Sequence, residues 1–525
     1  MKYLNSETFF HQVRWILAIA LFVLIFSMFY DPVSVQWTEP GSFFALRTDC
    51  VQFQGECRLY TAYPMGARIF WGMIIPMAII SLVLFGHGFW RRVCPLSFLS
   101  QLPRALRKSP RPVIAETHWL NRYSTFIQFG LLFVGLTVRL LLINSDRVLL
   151  GIFLLLTILV AMTINLIFDG KTWCNYVCPF GSVQQILGEP FGVFSSTAYL
   201  TAPNSLGTSE CRTTRNGQEV SACVGCKAAC IDIDPERSYW SEGKMRDRKV
   251  VYYAYLGLVI GFYGYFTLYS GNSNFLRGAV WTETNQLATL LNPGFYIADT
   301  AIGIPKLIAA PLTLAVSSGL TYILGLKIER LIKTHLNYSK PLRPDQQHRL
   351  FAGFTFLAMN CLFFMGIYPT LGYLPIVIQN SLAWAASLLS GFWLIKNWQR
   401  SQQQYYLERD AVLLKKQLQN LTKALKLDLT GNRSIEALSL QEIDVLVQTL
   451  SSFNHQHRLE LYKGILKDVV WREKLTEAAI LKRFKQLRKN LQVSETDHWN
   501  AVKDLSPSIH RIYPTDTTQV SGKSS

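Results

Sequence analysis

Eight apolar runs of near membrane-spanning length recur along this chain of 525 residues. A helix needs about 20 apolar residues to cross a bilayer, and only helices or closed barrels satisfy the backbone there. Half of the residues are hydrophobic and only 16% are charged, against about 25% in soluble domains. The sequence therefore predicts an α-helical integral membrane protein with about eight transmembrane helices. They lie at about 13–30, 68–86, 123–144, 147–168, 250–269, 302–326, 350–368 and 373–396.

Basic residues concentrate in connections that eight spans would place on one side of the membrane. These are the loop from Arg91 to Arg111, the segment from Lys327 to Arg343 and the tail from Lys396 on. Excess Lys and Arg mark the cytoplasmic side, so we expect a multi-pass protein of the cell inner membrane with both termini cytoplasmic. The net charge of +18 is spread over these connections and forms no single patch interleaved with aromatics. We therefore expect the lipid bilayer, and no nucleic acid, as a partner.

Seven of the ten cysteines fall on that same side, and the topology that places them there was derived without using them. They are Cys94, Cys174, Cys178, Cys211, Cys223, Cys226 and Cys230. Cys-x3-Cys-Pro at 174–179 and Cys-x2-Cys-x3-Cys at 223–230 are both parts of the pattern that ligates iron–sulfur clusters. Short spacings let one turn of backbone offer several thiolates to a cube, and nearby amides stabilise its negative charge. We therefore predict that these seven cysteines are ligands of a [4Fe–4S] cluster.

The first Cys-Pro turn is similar in sequence to the second. Residues 86–95 align with residues 170–179 without a gap, and Gly, Val, Cys and Pro match in register. Trp90 stands where the second copy has Cys174, so the first copy lacks one of the predicted ligands. We expect a duplicated two-span hairpin in which Cys94 still contributes to a cluster.

The number of thiols favours one complete cluster. Seven cysteines are one short of two four-cysteine cubes, so a second cluster would need a non-cysteine ligand, a three-iron form or solvent. His87 is a candidate for that ligand, although a glycine-flanked His at the end of a span is also typical of an interfacial polar residue. Structural zinc is the alternative metal, because four thiolates with a Cys-x2-Cys element suit it as well.

Paired Cys-Pro turns on a multi-span chain, followed by a ferredoxin-like cysteine group, resemble the membrane iron–sulfur proteins of the NapH/NosR/RdxA type. The resemblance covers roughly residues 68–235, and its most specific residues are Cys174, Cys178 and Pro179. It implies electron transfer between the quinone pool, a soluble redox partner protein and a reductase, or a role in assembling respiratory metal centres. The chain departs from that group because it lacks two complete eight-cysteine repeats, a covalent-flavin motif and a Cys-x-x-Cys-His haem motif.

Three functions therefore stay open from the sequence. The first is a membrane-bound electron carrier at the cytoplasmic face, which we favour over a self-contained catalyst. The second is an assembly factor that uses the same cluster to reduce a metal centre or a client protein. The third is a zinc-stabilised membrane scaffold, which the Cys-Pro turns at the ends of spans disfavour.

Composition divides the chain into five parts. Residues 1–168 carry the first four spans, 169–249 the iron–sulfur segment, 250–396 the last four spans, 397–505 a helical cytoplasmic domain and 506–525 a disordered tail.

Polar and sulfur-bearing residues outside the cysteine group lead to three further expectations. Cys50 and Cys57 lie in the first external loop and predict a disulfide there if that side is oxidising. Arg139 is expected to snorkel from the outer end of its span. The amides inside the spans are expected to bond neighbouring helices; they belong to Gln128, Asn165, Asn360, Gln379 and Asn380.

Overall fold

A computed structural model gives the structure of the chain, and helices dominate it. It describes residues 7–45, 50–59, 61–105, 111–115, 117–195, 212–215, 218–221, 226–227, 230–232, 234–240, 242–272, 275–276, 279–283, 285–297, 300–335, 342–425, 455–470, 485, 487–488 and 491–512. The chain divides into two compact units, Met1–Ser401 and Gln402–Ser525.

The first unit contains eleven main helices within its described residues. They are α1 (Glu7–Phe29), α2 (Ile75–Val93), α3 (Pro95–Ala105), α4 (Trp119–Val138), α5 (Arg147–Ile167), α6 (Phe180–Gly188), α7 (Pro235–Trp240), α8 (Glu242–Ser270), α9 (Lys306–His335), α10 (Pro344–Cys361) and α11 (Ile376–Gln399). Short π-helical turns extend several of them, at Phe70–Ile74, Arg139–Ile143, Trp173–Val177 and Leu362–Ile367.

Three antiparallel hairpins connect these helices. They are formed by β1 (Cys50–Phe53) with β2 (Glu56–Leu59), β3 (Arg212–Arg215) with β4 (Gln218–Ser221), and β5 (Pro293–Ile297) with β6 (Thr300–Pro305). In the first hairpin Gln52 lies opposite Cys57, and in the third a bulge separates the pairs at Pro293 and Phe295.

Seven helices among the described residues are long and apolar enough to cross a membrane. They are Thr8–Phe29, Gly66–Pro103, Trp119–Ile143, Arg147–Ile167, Asp247–Ser270, Lys306–His335 and Pro344–Thr370. Each overlaps one of the predicted runs, and in all but Asp247–Ser270 most of the apolar window is not buried inside the protein, as lipid-facing helices require. The sixth begins at Lys306, later than predicted, because residues 300–305 form β6. These seven helices make the chain a multi-pass membrane protein.

The predicted eighth span corresponds to α11, which is not among those seven helices. Its 24 residues form one uninterrupted helix, but polar Gln379, Asn380, Lys396 and Asn397 lower its mean hydropathy. The count of eight spans therefore stays a prediction.

Helix α8 lies at the centre of the bundle, where 72% of its apolar window is buried. It packs against α9 through Gly257 and Gly261: a Cβ at Gly257 would overlap the Ser317 carbonyl, and one at Gly261 would overlap the Ser317 hydroxyl. Small residues at such crossings let helix backbones approach closely in a membrane, where van der Waals packing replaces the hydrophobic drive.

Arg139 does not snorkel, so that expectation is wrong. Only 9% of the residue is exposed. Its guanidinium lies 4.2 Å from the ring centre of Trp71 and 4.8 Å from that of Phe262, and its Nε donates to Asn144. The faces of aromatic rings attract a cation, so this side chain finds its partners inside the bundle.

Three of the five predicted amides, those of Gln128, Asn165 and Asn360, bond to neighbouring elements, whereas Gln379 donates to the Leu374 carbonyl just before its own helix. Gln128 donates to the Cys174 carbonyl at 3.2 Å, and Asn165 donates to the Ser100 carbonyl at 3.0 Å. Asn360 of α10 bonds both Ser390 of α11 and its own helix backbone.

The predicted disulfide is present in the hairpin of β1 and β2. Cys50 and Cys57 are bonded, with their Cα atoms 5.6 Å apart. Within this hairpin, Phe53 packs edge-on against Tyr269 at the end of α8, and the Gln54 N–H donates to the Ser270 carbonyl. The hairpin is thereby attached to the central helix.

The second unit is helical in its described parts. It comprises α12 (Gln402–Leu425), α13 (His455–Val470) and α14 (Glu495–Ile512). Leu418, Leu461 and Leu466 are buried in it, and the Tyr462 hydroxyl lies 2.6 Å from His498 Nδ1. Helix α14 continues past residue 505 to Ile512, into the predicted tail, and residues 513–525 lie outside the described part.

The packing of α8 leads to a first prediction. Gly257→Ala is expected to lower the stability of the bundle by about 1–3 kcal/mol, because the added methyl group meets the Ser317 carbonyl of α9 and overpacking costs about that much. Thermal unfolding of the detergent-solubilised protein measures the change. Gly264→Ala, on the same helix with no atom within 4 Å of the added methyl, is the matched control. Equal melting temperatures of the two variants would contradict the close helix contact.

Candidate metal centre

The two Cys-Pro turns share their backbone conformation at the glycine and at the second cysteine position, as the predicted duplication requires. Gly86 and Gly170 both have positive φ, 72° and 84°, a conformation that glycine adopts without strain. Eight residues later, Cys94 has φ −58° and ψ 117°, and Cys178 has φ −53° and ψ 120°. The chain therefore leaves both membrane helices and passes both cysteines in the same way.

The second turn is π-helical before its cysteine, whereas the first is α-helical. The Cys178 N–H bonds the carbonyl five residues back, that of Trp173, whereas the Cys94 N–H bonds the carbonyl four residues back, that of Trp90. The wider turn makes Trp173–Val177 π-helical. The Cys174 thiol lies 3.5 Å from the Ser97 hydroxyl of α3, so the second turn contacts the helix that follows the first.

Cys94 and Cys174 both lie within electrostatic range of Cys178. Cys174 and Cys178 are buried in an apolar cluster with Ala161 and Trp173. The pKa of the Cys178 thiol is raised, first by burial and then by the negative charges that Cys174 and Cys94 carry as thiolates. The structure therefore brings together the three thiols that the repeat predicted.

Cys226 and Cys230 are held beside the second turn. The Asn175 amide approaches the Cys226 sulfur at 3.5 Å, and the Tyr176 hydroxyl donates to the Cys226 carbonyl at 3.0 Å. The pKa of the Cys230 thiol is raised to about 12, first by burial and then by the charges of Asp232 and Cys226. Five of the seven predicted ligands thus belong to one region, while Cys211 and Cys223 lie outside the described residues.

Charged side chains surround these thiols, and the sequence reasoning missed most of them. Asp232 pairs with Arg91 at 2.6 Å and with Lys171 at 3.4 Å. Burial, followed by the charge of Arg91, lowers the pKa of Lys227 to about 8. Their positions in the sequence could have indicated this role. Arg91 and Lys171 lie within the aligned turns, and Asp232 and Lys227 lie within two residues of a predicted ligand.

His87 is buried beside the cysteines and is not an interfacial residue. Only 3% of it is exposed, and it directly follows Gly86, where the backbone departs from the helical conformation. Its Nε2 lies 3.1 Å from the Ile231 carbonyl, next to Cys230. Its Nδ1 has no hydrogen-bond partner among the described residues.

Helix α11 ends against the same region of the first unit. Arg400 binds Glu236 through two contacts, of 2.6 and 2.7 Å, and Glu236 lies four residues after Asp232. Lys396 donates to the carbonyls of Gly192 and Val193, which follow α6. The turns, the cysteines and the end of α11 therefore form one packed structure.

The side chains around the described thiols fit the chemistry of an iron–sulfur cluster. Within the described ranges, no three His, Cys, Asp or Glu side chains form a group that could hold a metal ion, and the predicted ligands Cys211 and Cys223 lie outside these ranges. Buried thiols beside Arg91, Lys171 and Lys227 fit an anionic cluster, since these cations compensate its charge.

A comparison with known families agrees with this chemistry. The model of a family described as a 4Fe-4S binding domain matches residues 149–197, which include α5, the second Cys-Pro turn and α6. The chain is therefore an iron–sulfur protein with a 4Fe–4S cluster. No curated protein and no solved structure matches it.

The raised pKa values lead to a second prediction. In the iron-free protein, Cys178 and Cys230 are expected to react with iodoacetamide far more slowly than free cysteine near neutral pH, because only the thiolate attacks. Their rates should keep rising about tenfold per pH unit beyond the usual thiol pKa of about 8.5. Mass spectrometry of labelled peptides gives the rates, with urea-unfolded protein as the reference. A rate that levels off near pH 8.5 in the folded protein would contradict the burial of these thiols.

Proposed function

We propose that this protein is a membrane-bound iron–sulfur electron carrier that relays electrons at the cytoplasmic face of the bacterial inner membrane. It would belong to the NapH/NosR/RdxA type and exchange electrons with a soluble redox partner protein, with quinone or with a respiratory reductase. The observation that carries the proposal is the gathering of five cysteines at the end of apolar helices; Cys174 and Cys178 are buried, and Cys94, Cys226 and Cys230 are half-buried.

The ligands we propose come from three stretches of chain. Cys94 belongs to the first turn, and Cys174 and Cys178 belong to the second. Cys226 and Cys230 follow, together with Cys211 and Cys223, which lie outside the described residues. When bound, the cluster supplies one-electron chemistry at a site that protein side chains shield from water. The chain's own part is to hold the thiols and to balance their charge.

The proposed orientation depends on α11 as an eighth span. Large apolar side chains are exposed at intervals along its length, at Val377, Trp384 and Phe392 for example. Its C-terminal end contacts residues 191–195, which follow the second turn and α6. With this span, the basic loops, the cysteines and both termini fall on the same, cytoplasmic side, following the excess of Lys and Arg.

Sided reduction of membrane vesicles tests the proposal and is our third prediction. In inside-out vesicles, a reduced ferredoxin added outside is expected to bleach the cluster absorption, because the cytoplasmic face is then exposed to this membrane-impermeant donor. Right-side-out vesicles should bleach only after a membrane-permeant viologen is added. Bleaching by ferredoxin in right-side-out vesicles alone would contradict the sidedness, and no bleaching of iron-loaded protein by any reductant would contradict electron transfer.

Single cysteine variants give the fourth prediction. Alanine at Cys178, Cys223 or Cys226 is expected to remove most of the iron, because an open iron site destabilises the whole cluster. Cys94→Ala should cause a comparable loss, since its thiolate lies in electrostatic range of Cys178. Iron and EPR signal per purified chain are the measurements.

Two variants serve as controls for this series. Cys50→Ala removes a cysteine that is bonded to Cys57, and Cys361→Ala removes one at the end of α10. Both should keep wild-type iron. If Cys94→Ala also keeps wild-type iron, the first turn has lost its ligand role and Cys211 takes that place.

A further inference from the structure

The two Cys-Pro turns hold the same piece of chain at equivalent positions. That piece, here called the cysteine segment, consists of Cys226, Lys227 and residues 230–232. One residue after the turn glycine, His87 reaches the Ile231 carbonyl and Lys171 reaches the Asp232 carboxylate. Five residues after the glycine, Arg91 reaches Asp232 and Asn175 reaches Cys226. The four contacts thus come from two aligned positions in both copies.

Building on the proposed function, we propose that Asp232 is a positioning residue for the cluster. Held between Arg91 of the first turn and Lys171 of the second, it fixes the cysteine segment against both turns and sets the balance of charge beside the cluster.

Burial makes this arrangement effective. The exposed fractions of the Arg91, Lys171 and Asp232 side chains are 5%, 2% and 3%. Charges in such surroundings interact more strongly than at the surface and are little screened by salt. Asp232 also lies two residues after Cys230, so its position is transmitted to that thiol through the backbone.

Asp232 and Lys171 carry opposite charges beside thiols that would be negative when bound to iron. Positive charge stabilises an added electron and negative charge opposes it, so loss of Asp232 and loss of Lys171 act on the cluster in opposite directions. A purely structural role would instead give both losses the same sign.

The first turn differs from the second at the position of the outer cysteine, and its residues there make other contacts. Trp90, which replaces the outer cysteine, lies with its ring 5.3 Å from that of Phe180 at the start of α6. The next residue, Arg91, donates to Asn175 of the second turn at 2.8 Å as well as pairing with Asp232. The first turn therefore contributes Arg91, which binds both Asn175 and Asp232, whereas the second turn contributes an additional thiol, that of Cys174.

Reduction potentials measured by EPR-monitored titration test the inference. Asp232→Asn should move the midpoint of the cluster to a more positive value, and Lys171→Met should move it to a more negative value. The double variant Asp232→Asn, Lys171→Met should return towards the wild-type midpoint, because it restores the net charge. Asp232→Asn should also lose iron to a chelator about 10–100-fold more readily, as expected when an outer-shell partner of a metal ligand is removed.

Glu236→Gln is the matched control. It breaks another buried ion pair on the neighbouring helix, that of Glu236 with Arg400, but touches neither turn cation. Its midpoint should stay closer to wild type than that of Asp232→Asn.

Three outcomes would overturn the inference while leaving the proposed function intact. They are an unchanged midpoint and iron retention in Asp232→Asn, shifts of the same sign in the two single variants, or an equal shift in Glu236→Gln. If Asp232→Asn does not fold, the sign of the Lys171→Met shift decides. Failure of the proposed function would be visible separately, as wild-type protein without iron.

Discussion

The cysteine-bearing end of this molecule depends on one backbone constraint, the left-handed glycine at the start of each Cys-Pro turn. Gly86 and Gly170 redirect the chain, and Cys94 and Cys178 follow in equivalent conformations. A residue with a Cβ would be strained at either glycine. Because both turns are built alike, their side chains meet a third stretch of chain from two sides.

That third stretch is the cysteine segment, and its carboxylate, that of Asp232, is buried and forms ion pairs. Asp232 lies between Arg91 and Lys171, while Lys227 donates to the backbone of the second turn at Asn175. Removing one partner of such a buried pair typically costs about 3–5 kcal/mol. The same ion pairs thus hold the cysteine segment in place and supply positive charge beside thiolates that would bind iron.

Hydropathy and spacing predicted the features that depend on local sequence. Seven of eight spans, the duplicated turn, the hairpin disulfide and the proximity of the described cysteines all follow from runs, registers and short motifs. Arg139, His87 and Asp232 could not be placed in that way. Their surroundings come from segments far apart in sequence: Arg139 stacks on Trp71 and Phe262, and Asp232 meets residues of both turns. Helix α11 was ambiguous because amides at both of its ends shorten its apolar stretch.

The most direct test of the whole account is the metal content of the wild-type protein. Anaerobic purification followed by quantification of iron, acid-labile sulfide and zinc would decide between a cluster and a single ion. The account predicts a brown protein with at least about four irons and matching sulfide per chain, and an EPR signal of a reduced cluster. A colourless protein with stoichiometric zinc and no sulfide would contradict it.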